Sequence, residues 1–325
     1  MNVIQQEQGQ GFTAYHGDCI EVVGSLPANS VHYSIFSPPF ASLYVFSDSD
    51  RDMSNVKSHG EFFEHFGFLV DELYRVLKPG RLVSIHCCNL PKSMAHDGVI
   101  GLYDFRGDVI RAFEAKGFVY HSEVCIWKDP VVAMQRTKAL GLLHKQVKKD
   151  SAMSRQGIPD YLVTMRKPGA NPEPIAGMFY AFNGGDTSAE EFRIQSFTEW
   201  KQHGETGDFD SRHSIDIWQR YASPVWMDIK QGDVLNFRDA KTVGDEKHIT
   251  PLQLGVIERG IDLWTNPGDV VLSPFMGIGS EGYVSLKKGR RFVGVELKES
   301  YYRQAVANLQ GAEVENQQMQ LAVGA

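Results

Sequence analysis

The apolar positions along the chain change their period several times, and each change marks an element. Phe12 to Tyr15 is a short apolar run, and Asp18 to Leu26 is predicted to form a helix. Val31, Tyr33 and Ile35 alternate with His32 and Ser34, the period-two pattern of a half-buried strand that ends at Phe36. Phe62, Phe63, Phe66, Leu69, Val70, Leu73, Val76 and Leu77 then recur at helical spacing. Residues 60–77 are therefore read as an amphipathic helix, stopped by Lys78-Pro79-Gly80. Arg81 to Cys87 is a second buried strand, Asp104 to Lys116 another helix, and Phe118 to Trp127 another strand. Strand-helix alternation of this kind predicts an α/β fold with a largely parallel sheet.

The alternation breaks after Trp127. Between Lys128 and Lys167 there are nine basic side chains against three aspartates, a balance of +6. Residues 168 to about 215 are rich in loop formers, with Pro168, Pro172, Pro174 and Gly184-Gly185. The alternation resumes with a helix from Pro251 to Thr265, a strand from Asp269 to Leu272, a glycine-rich turn, a helix near 281–288 and a strand from Arg291 to Leu297. The chain is thus divided into 1–127, an inserted basic module at 128–215, and 216–325. The two outer parts are expected to build one sheet.

Composition narrows the class. The chain has 325 residues, 42% hydrophobic and 22% charged, as in ordinary globular proteins. No apolar run approaches the roughly 20 residues of a membrane helix. Met1 to Gly11 is polar and Gln-rich, so no signal or transit peptide is expected. The four cysteines (Cys19, Cys87, Cys88, Cys125) lack the paired spacing of a zinc site, and a cytoplasmic location is expected. The net charge of −7 makes the +6 segment a local feature rather than a trend.

Two short stretches carry candidate chemistry. Ser37-Pro38-Pro39-Phe40 ends the first long strand in a rigid corner, with a hydroxyl and an aromatic ring on either side of two prolines. Gly277-Ile278-Gly279-Ser280-Glu281-Gly282 matches G-x-G-x-x-G between a strand and a helix, and Glu296 follows 19 residues on. Such a turn lets a ligand approach the backbone while the acidic residue accepts from ribose hydroxyls. A dinucleotide or S-adenosylmethionine would satisfy it. Only 29 residues follow Glu296, so the ligand half of the sheet comes after the half containing Ser37. That order is unusual for a dehydrogenase.

These residues resemble the DNA amino-methyltransferases of the β order, in which the catalytic motif precedes the cofactor motif. Ser37-Pro38-Pro39-Phe40 is similar to the family's catalytic tetrapeptide, and Asp18 in His16-Gly17-Asp18-Cys19 to the acidic position near the cofactor's adenine. Thr250-Pro251-Leu252 is similar to the motif before the cofactor strand. Ser273-Pro274-Phe275-Met276-Gly277-Ile278-Gly279-Ser280 is similar to the Asp-Pro-Phe-x-Gly-x-Gly-Thr turn, with Ser273 in place of the Asp and Ser280 in place of the Thr. The resemblance covers about 10–130 and 215–310 and looks closest to phage and prophage methylases. It implies a Rossmann-like methyltransferase fold with circularly permuted motif order. The implied cofactor is S-adenosylmethionine, held by Asp18, Thr250, Leu252, Ser273, Phe275, Gly277, Gly279, Ser280 and Glu296. The basic segment sits where the family carries its target-recognition region, which implies DNA contact through Arg136, Lys138, Lys145, Lys148, Lys149 and Arg155.

An exocyclic amine is a poor nucleophile because its lone pair is delocalised into the base. A Ser37 oxygen and the Pro38 carbonyl can accept its protons and favour a pyramidal nitrogen, provided both are rigidly placed. Phe40 offers a face for an extruded base. In the family it resembles, Asp or Asn at the first position goes mostly with adenine and Ser mostly with cytosine, so the resemblance tilts the expectation to cytosine N4, with adenine N6 as the alternative. Two rivals are a non-catalytic DNA-binding protein on this fold and a dinucleotide-dependent oxidoreductase. DNA is the expected partner, in the setting of DNA methylation and restriction-modification; no membrane and no metal are expected, and a homodimer is left open.

Overall fold

The computed structural model describes residues 3–39, 53–55, 58–92, 97–137, 144–153, 157–175, 218–237 and 251–323. Its centre is a nine-stranded sheet. The strands are β1 (Val3–Gln8), β2 (Phe12–Gly17), β3 (Val31–Phe36), β4 (Leu77–Cys88), β7 (Val119–Ile126), β8 (Asp160–Arg166), β9 (Val225–Trp226), β10 (Val270–Ser273) and β11 (Arg291–Glu296). A separate hairpin pairs β5 (Leu90–Lys92) with β6 (Gly101–Tyr103). The spatial order of the sheet is β1-β2-β11-β10-β3-β4-β8-β7-β9. Its middle, β2-β11-β10-β3-β4, is parallel throughout, and β8 runs antiparallel to both β4 and β7. Both outer parts of the chain contribute to this one sheet.

Helices cover both faces. One apolar cluster is formed by α1 (Cys19–Ser25), α2 (His59–Val76) and α3 (Phe105–Glu114) through Val22, Phe62, Phe66, Leu69, Leu73, Val109 and Phe113. The other draws on α6 (Leu254–Trp264), α7 (Ser280–Lys287) and α8 (Glu299–Val323) through Val256, Ile257, Ile261, Val284, Tyr302 and Leu309. Between them α4 (Pro130–Thr137) and α5 (His144–Lys149) lie in the basic segment. The aromatic-rich face of α2 burial explains its position: Phe62 stacks on Phe66 at 5.5 Å and Phe66 meets Phe113 edge-on at 5.9 Å. Among the described residues no helix is long and apolar enough to cross a membrane.

Three sequence expectations are corrected. First, β3 is buried at all six positions rather than on one face. Its polar positions are satisfied by the neighbouring strand: Ser34 Oγ donates to the Leu272 carbonyl at 2.9 Å and His32 Nδ1 accepts from Val270 N–H at 3.0 Å. Second, Lys78-Pro79-Gly80 ends α2 but already belongs to β4, which starts at Leu77. Third, the basic segment is not wholly an insert, because β8 lies within it and sits between β4 and β7 with Leu162, Val163 and Met165 fully buried. Two of the nine basic residues counted there are structural. Lys167 is buried, donating to the Leu77 carbonyl at 2.7 Å and to Asn29 at 2.9 Å, and Lys128 pairs with buried Asp160.

Candidate active site and cofactor turn

Strand order places the two candidate motifs side by side. From β10 the chain crosses through α7 to β11 on one side, and from β3 it crosses through α2 to β4 on the other. Neighbouring strands whose crossovers diverge open a crevice at their carboxyl ends, the usual ligand site of such sheets. Leu272 of β10 lies opposite Ser34 of β3, so Ser37 and Phe275 emerge at the same edge. Phe36 and Phe275 rings sit 5.7 Å apart there. Residues 238 positions apart in sequence thus share one site because β3 and β10 are adjacent.

The cofactor side is built by the turn after β10. Gly277 (φ 52°) and Gly279 (φ 86°) both have left-handed backbone, which favours glycine, and a Cβ on Gly279 would come within 3.2 Å of Ala305. The Glu296 carboxylate holds the turn: it accepts from Gly277 N–H at 2.9 Å and Lys298 N–H at 2.8 Å. A carboxylate oxygen has two lone-pair directions and can accept from more than one donor. Asp18 caps α1 by accepting from Glu21 N–H at 3.0 Å, at the carboxyl end of β2 and next to the end of β11. Phe275 is half-buried, while Ser273 and Ser280 are buried. Among the described residues their two hydroxyl oxygens have no hydrogen-bond partner. Buried hydroxyls of that kind fit a site whose polar partner is a ligand. Leu252 belongs to the second apolar cluster. Thr250 lies outside the described residues.

Sequence reasoning missed Glu281, the residue after Ser280. Its carboxyl is buried at the start of α7 and its pKa is pushed up to about 8 by burial, with the neighbouring Glu296 charge adding to the rise. In the sequence it occupies only a variable position of the glycine pattern.

On the catalytic side Pro38 and Pro39 are buried and Ser37 is half-buried. Ser37 Oγ donates to the His86 carbonyl at 3.2 Å and lies 3.4 Å from His86 Nδ1. With its own proton so engaged, the oxygen presents lone pairs to the crevice. His86 Nε2 in turn lies 3.3 Å from Asp160 Oδ2, and Lys128 approaches the other carboxylate oxygen. Burial alone would raise the Asp160 pKa, but the neighbouring His86 and Lys128 outweigh it and hold the carboxyl below the ordinary carboxylate range. No spacing in the sequence pointed to His86 or Asp160. Phe40 lies outside the described residues.

Of the candidate DNA contacts, Lys145, Lys148 and Lys149 are exposed on α5. Arg136 falls on α4, and Lys138 and Arg155 lie outside the described residues. A cluster of His32, Glu173 and Asp269 has metal-like donors, but it sits at the opposite edge of the sheet. There Arg81 bonds Asp269 at 3.1 Å and Lys78 bonds Glu173 at 2.9 Å, which makes it an ion-pair network.

A glycine turn with its acidic partner, beside a proline-rigid acceptor on the adjoining strand, defines an enzyme that brings a nucleotide-like cofactor against a second substrate. The chain matches the model of the N6/N4 DNA methylase family over residues 31–307. It therefore belongs to that family of DNA methylases, which take the methyl group from S-adenosylmethionine. It is similar to the DNA adenine methyltransferase YhdJ of Escherichia coli K12, with 23% identity over 91% of this chain and 82% of the relative. It is similar also to the type II methyltransferase M.XycI of Xanthomonas campestris pv. cyanopsidis, with 24% identity over 93% and 89%. The solved structure of the cytosine-N4-specific PvuII DNA methyltransferase has the same fold, with a TM-score of 0.60, 16% identity and coverage of 94% and 90%.

Proposed function

We propose that this DNA methylase modifies the exocyclic amine of an extruded base, cytosine N4 in preference to adenine N6. The observation that carries this reading is the adjacency of Ser37 to the cofactor turn, with the hydroxyl proton directed at the His86 carbonyl. An oxygen so oriented accepts a proton of the target amine, and the Pro38 carbonyl takes the other. Both acceptors stand on a buried proline corner, so little reorganisation is needed when the nitrogen becomes pyramidal. When bound, S-adenosylmethionine supplies an electrophilic methyl group. Ser273, Phe275, Gly277, Gly279, Ser280 and Glu296 would hold it, with Asp18 toward the adenine and Thr250 and Leu252 behind.

The preference for cytosine rests on Ser37 itself. A short, neutral acceptor does not repel the lone pairs of cytosine O2 and N3. The named relatives fall on both sides, one an adenine enzyme and one a cytosine-N4 enzyme. Lys145, Lys148 and Lys149 on α5 track the phosphate backbone, with Arg136, Lys138 and Arg155 on the same segment, and residues 128–159 act with the loop-rich stretch that follows β8 as the target-recognition part. Mass spectrometry of nucleosides from DNA incubated with protein and cofactor tests the reading. N4-methylcytosine supports it, N6-methyladenine alone overturns the choice of base, and unmodified DNA overturns the function.

A further inference from the structure

Three elements converge behind Ser37 in a way that hydrogen-bond acceptance alone does not require. His86 lies near the end of β4, 7% exposed, with one ring nitrogen toward Ser37 and the other toward Asp160. Asp160 opens β8 and is 3% exposed, and Lys128 follows β7. Ser37, His86 and Asp160 thus form a hydroxyl-imidazole-carboxylate series, the arrangement by which a carboxylate fixes a histidine tautomer and the histidine takes a hydroxyl proton. The Asp160 contact is an ion-pair approach rather than a formed hydrogen bond, since among the described residues no acceptor meets His86 Nε2 at hydrogen-bond geometry. Such contacts are commonly long in the absence of substrate.

We propose that His86, oriented by Asp160, removes the amine proton through Ser37 in step with methyl transfer. This rests on the function proposed above. Asp160 selects the tautomer with hydrogen on Nε2 and leaves Nδ1 as acceptor. As the amine nitrogen forms its bond to the methyl carbon, the carbon–sulfur bond breaks and its electron pair stays on sulfur. One amine proton moves to Ser37 Oγ, while the Ser37 hydroxyl proton turns from the His86 carbonyl to His86 Nδ1. The products are a neutral methylated amine, an intact Ser37 and an imidazolium beside the Asp160 carboxylate. The imidazolium returns its proton to water after release. His86 touches no substrate, so it is a positioning residue acting through Ser37.

The groups facing His86 set the sign of the pH dependence. Asp160 from β8 favours imidazolium, and Lys128 beyond it disfavours it. The Cys88 thiol on β4, pushed up to about 12 by burial and by Asp160, stays neutral. On α3 and β7 Arg106 pairs with Glu123 at 2.8 Å, and the two charges neutralise each other.

The experiment is the single-turnover rate of methyl transfer to DNA from pH 5 to 9, at saturating cofactor, for wild type, His86→Gln, Asp160→Asn and Lys128→Met. Wild type should lose rate as pH falls and His86 is protonated. His86→Gln should be at least tenfold slower at pH 8, and its remaining rate should lack that acid limb, with cofactor affinity by calorimetry unchanged. Lys128→Met should move the limb to higher pH, and Asp160→Asn to lower pH. An unaltered limb in His86→Gln overturns the relay. Should His86→Gln or Asp160→Asn not fold, an unmoved limb in Lys128→Met overturns it equally. Absence of any methylation by wild type would instead refute the function on which it rests.

Discussion

Glu296→Gln isolates what the carboxylate does for the cofactor. In the structure its two oxygens already accept from Gly277 N–H and Lys298 N–H before any ligand arrives. Glutamine keeps one acceptor oxygen and replaces the other with a donor. One of the two backbone bonds is therefore lost, and on the proposed function one ribose hydroxyl loses an ionised acceptor. Hydrogen bonds to charged groups contribute about 1.5–3 kcal/mol each. The ribose bond falls entirely on binding, because it exists only in the complex, so the cofactor dissociation constant should rise by about 10- to 150-fold. The lost backbone bond falls on the folded state in both forms and should appear as a lower unfolding midpoint without cofactor. Calorimetric titration with S-adenosylmethionine, set beside thermal unfolding of the free protein, separates the two. An affinity within threefold of wild type would remove Glu296 from the ribose site, whatever the change in stability.

Other outcomes follow from the same geometry. Reversing the charge of Lys145, Lys148 and Lys149 together should flatten the salt dependence of DNA binding, since each neutralised phosphate releases counterion; an unaltered slope by fluorescence anisotropy would make α5 a solvated face. Glu281 is held protonated by burial, with a folded pKa of about 8 against roughly 4.3 for an unfolded glutamate. The folded state therefore binds the extra proton, and its stabilising effect is full below the unfolded pKa and is lost as pH rises toward 8. Glu281→Gln should thus gain stability over wild type at pH 8 but not at pH 4.5, read by urea unfolding, and equal differences at both would show the carboxyl to be solvated.

Local signals carried most of the legible part of the molecule. The helical recurrence of Phe62 to Val76, the strand ending at Phe36 and the glycine turn after β10 each depend on residues within one element, and each is found with nearly the expected limits. The strand β8 was hidden because its run Tyr161 to Met165 is only five residues long and lies in a segment whose charge dominated the reading. Its β-forming composition was the available signal. The burial of His32 and Ser34 was illegible for a different reason: their partners are backbone groups of β10, more than 230 residues away in sequence. The same holds for His86 and Asp160, which meet only because β4 and β8 pair with Cys88 opposite Asp160. Chain distance conceals whatever the sheet register creates.

Ser37 is the residue on which the proposed chemistry most directly depends. Its hydroxyl is assigned to the target amine alone, while the cofactor is assigned to the turn after β10. Single-turnover methylation by Ser37→Ala, measured with cofactor affinity on the same preparation, tests that division of labour. Loss of one preorganised acceptor should slow transfer by about 10²–10³-fold and leave the cofactor dissociation constant within twofold. A Ser37→Ala protein that methylates DNA within threefold of the wild-type rate would contradict it.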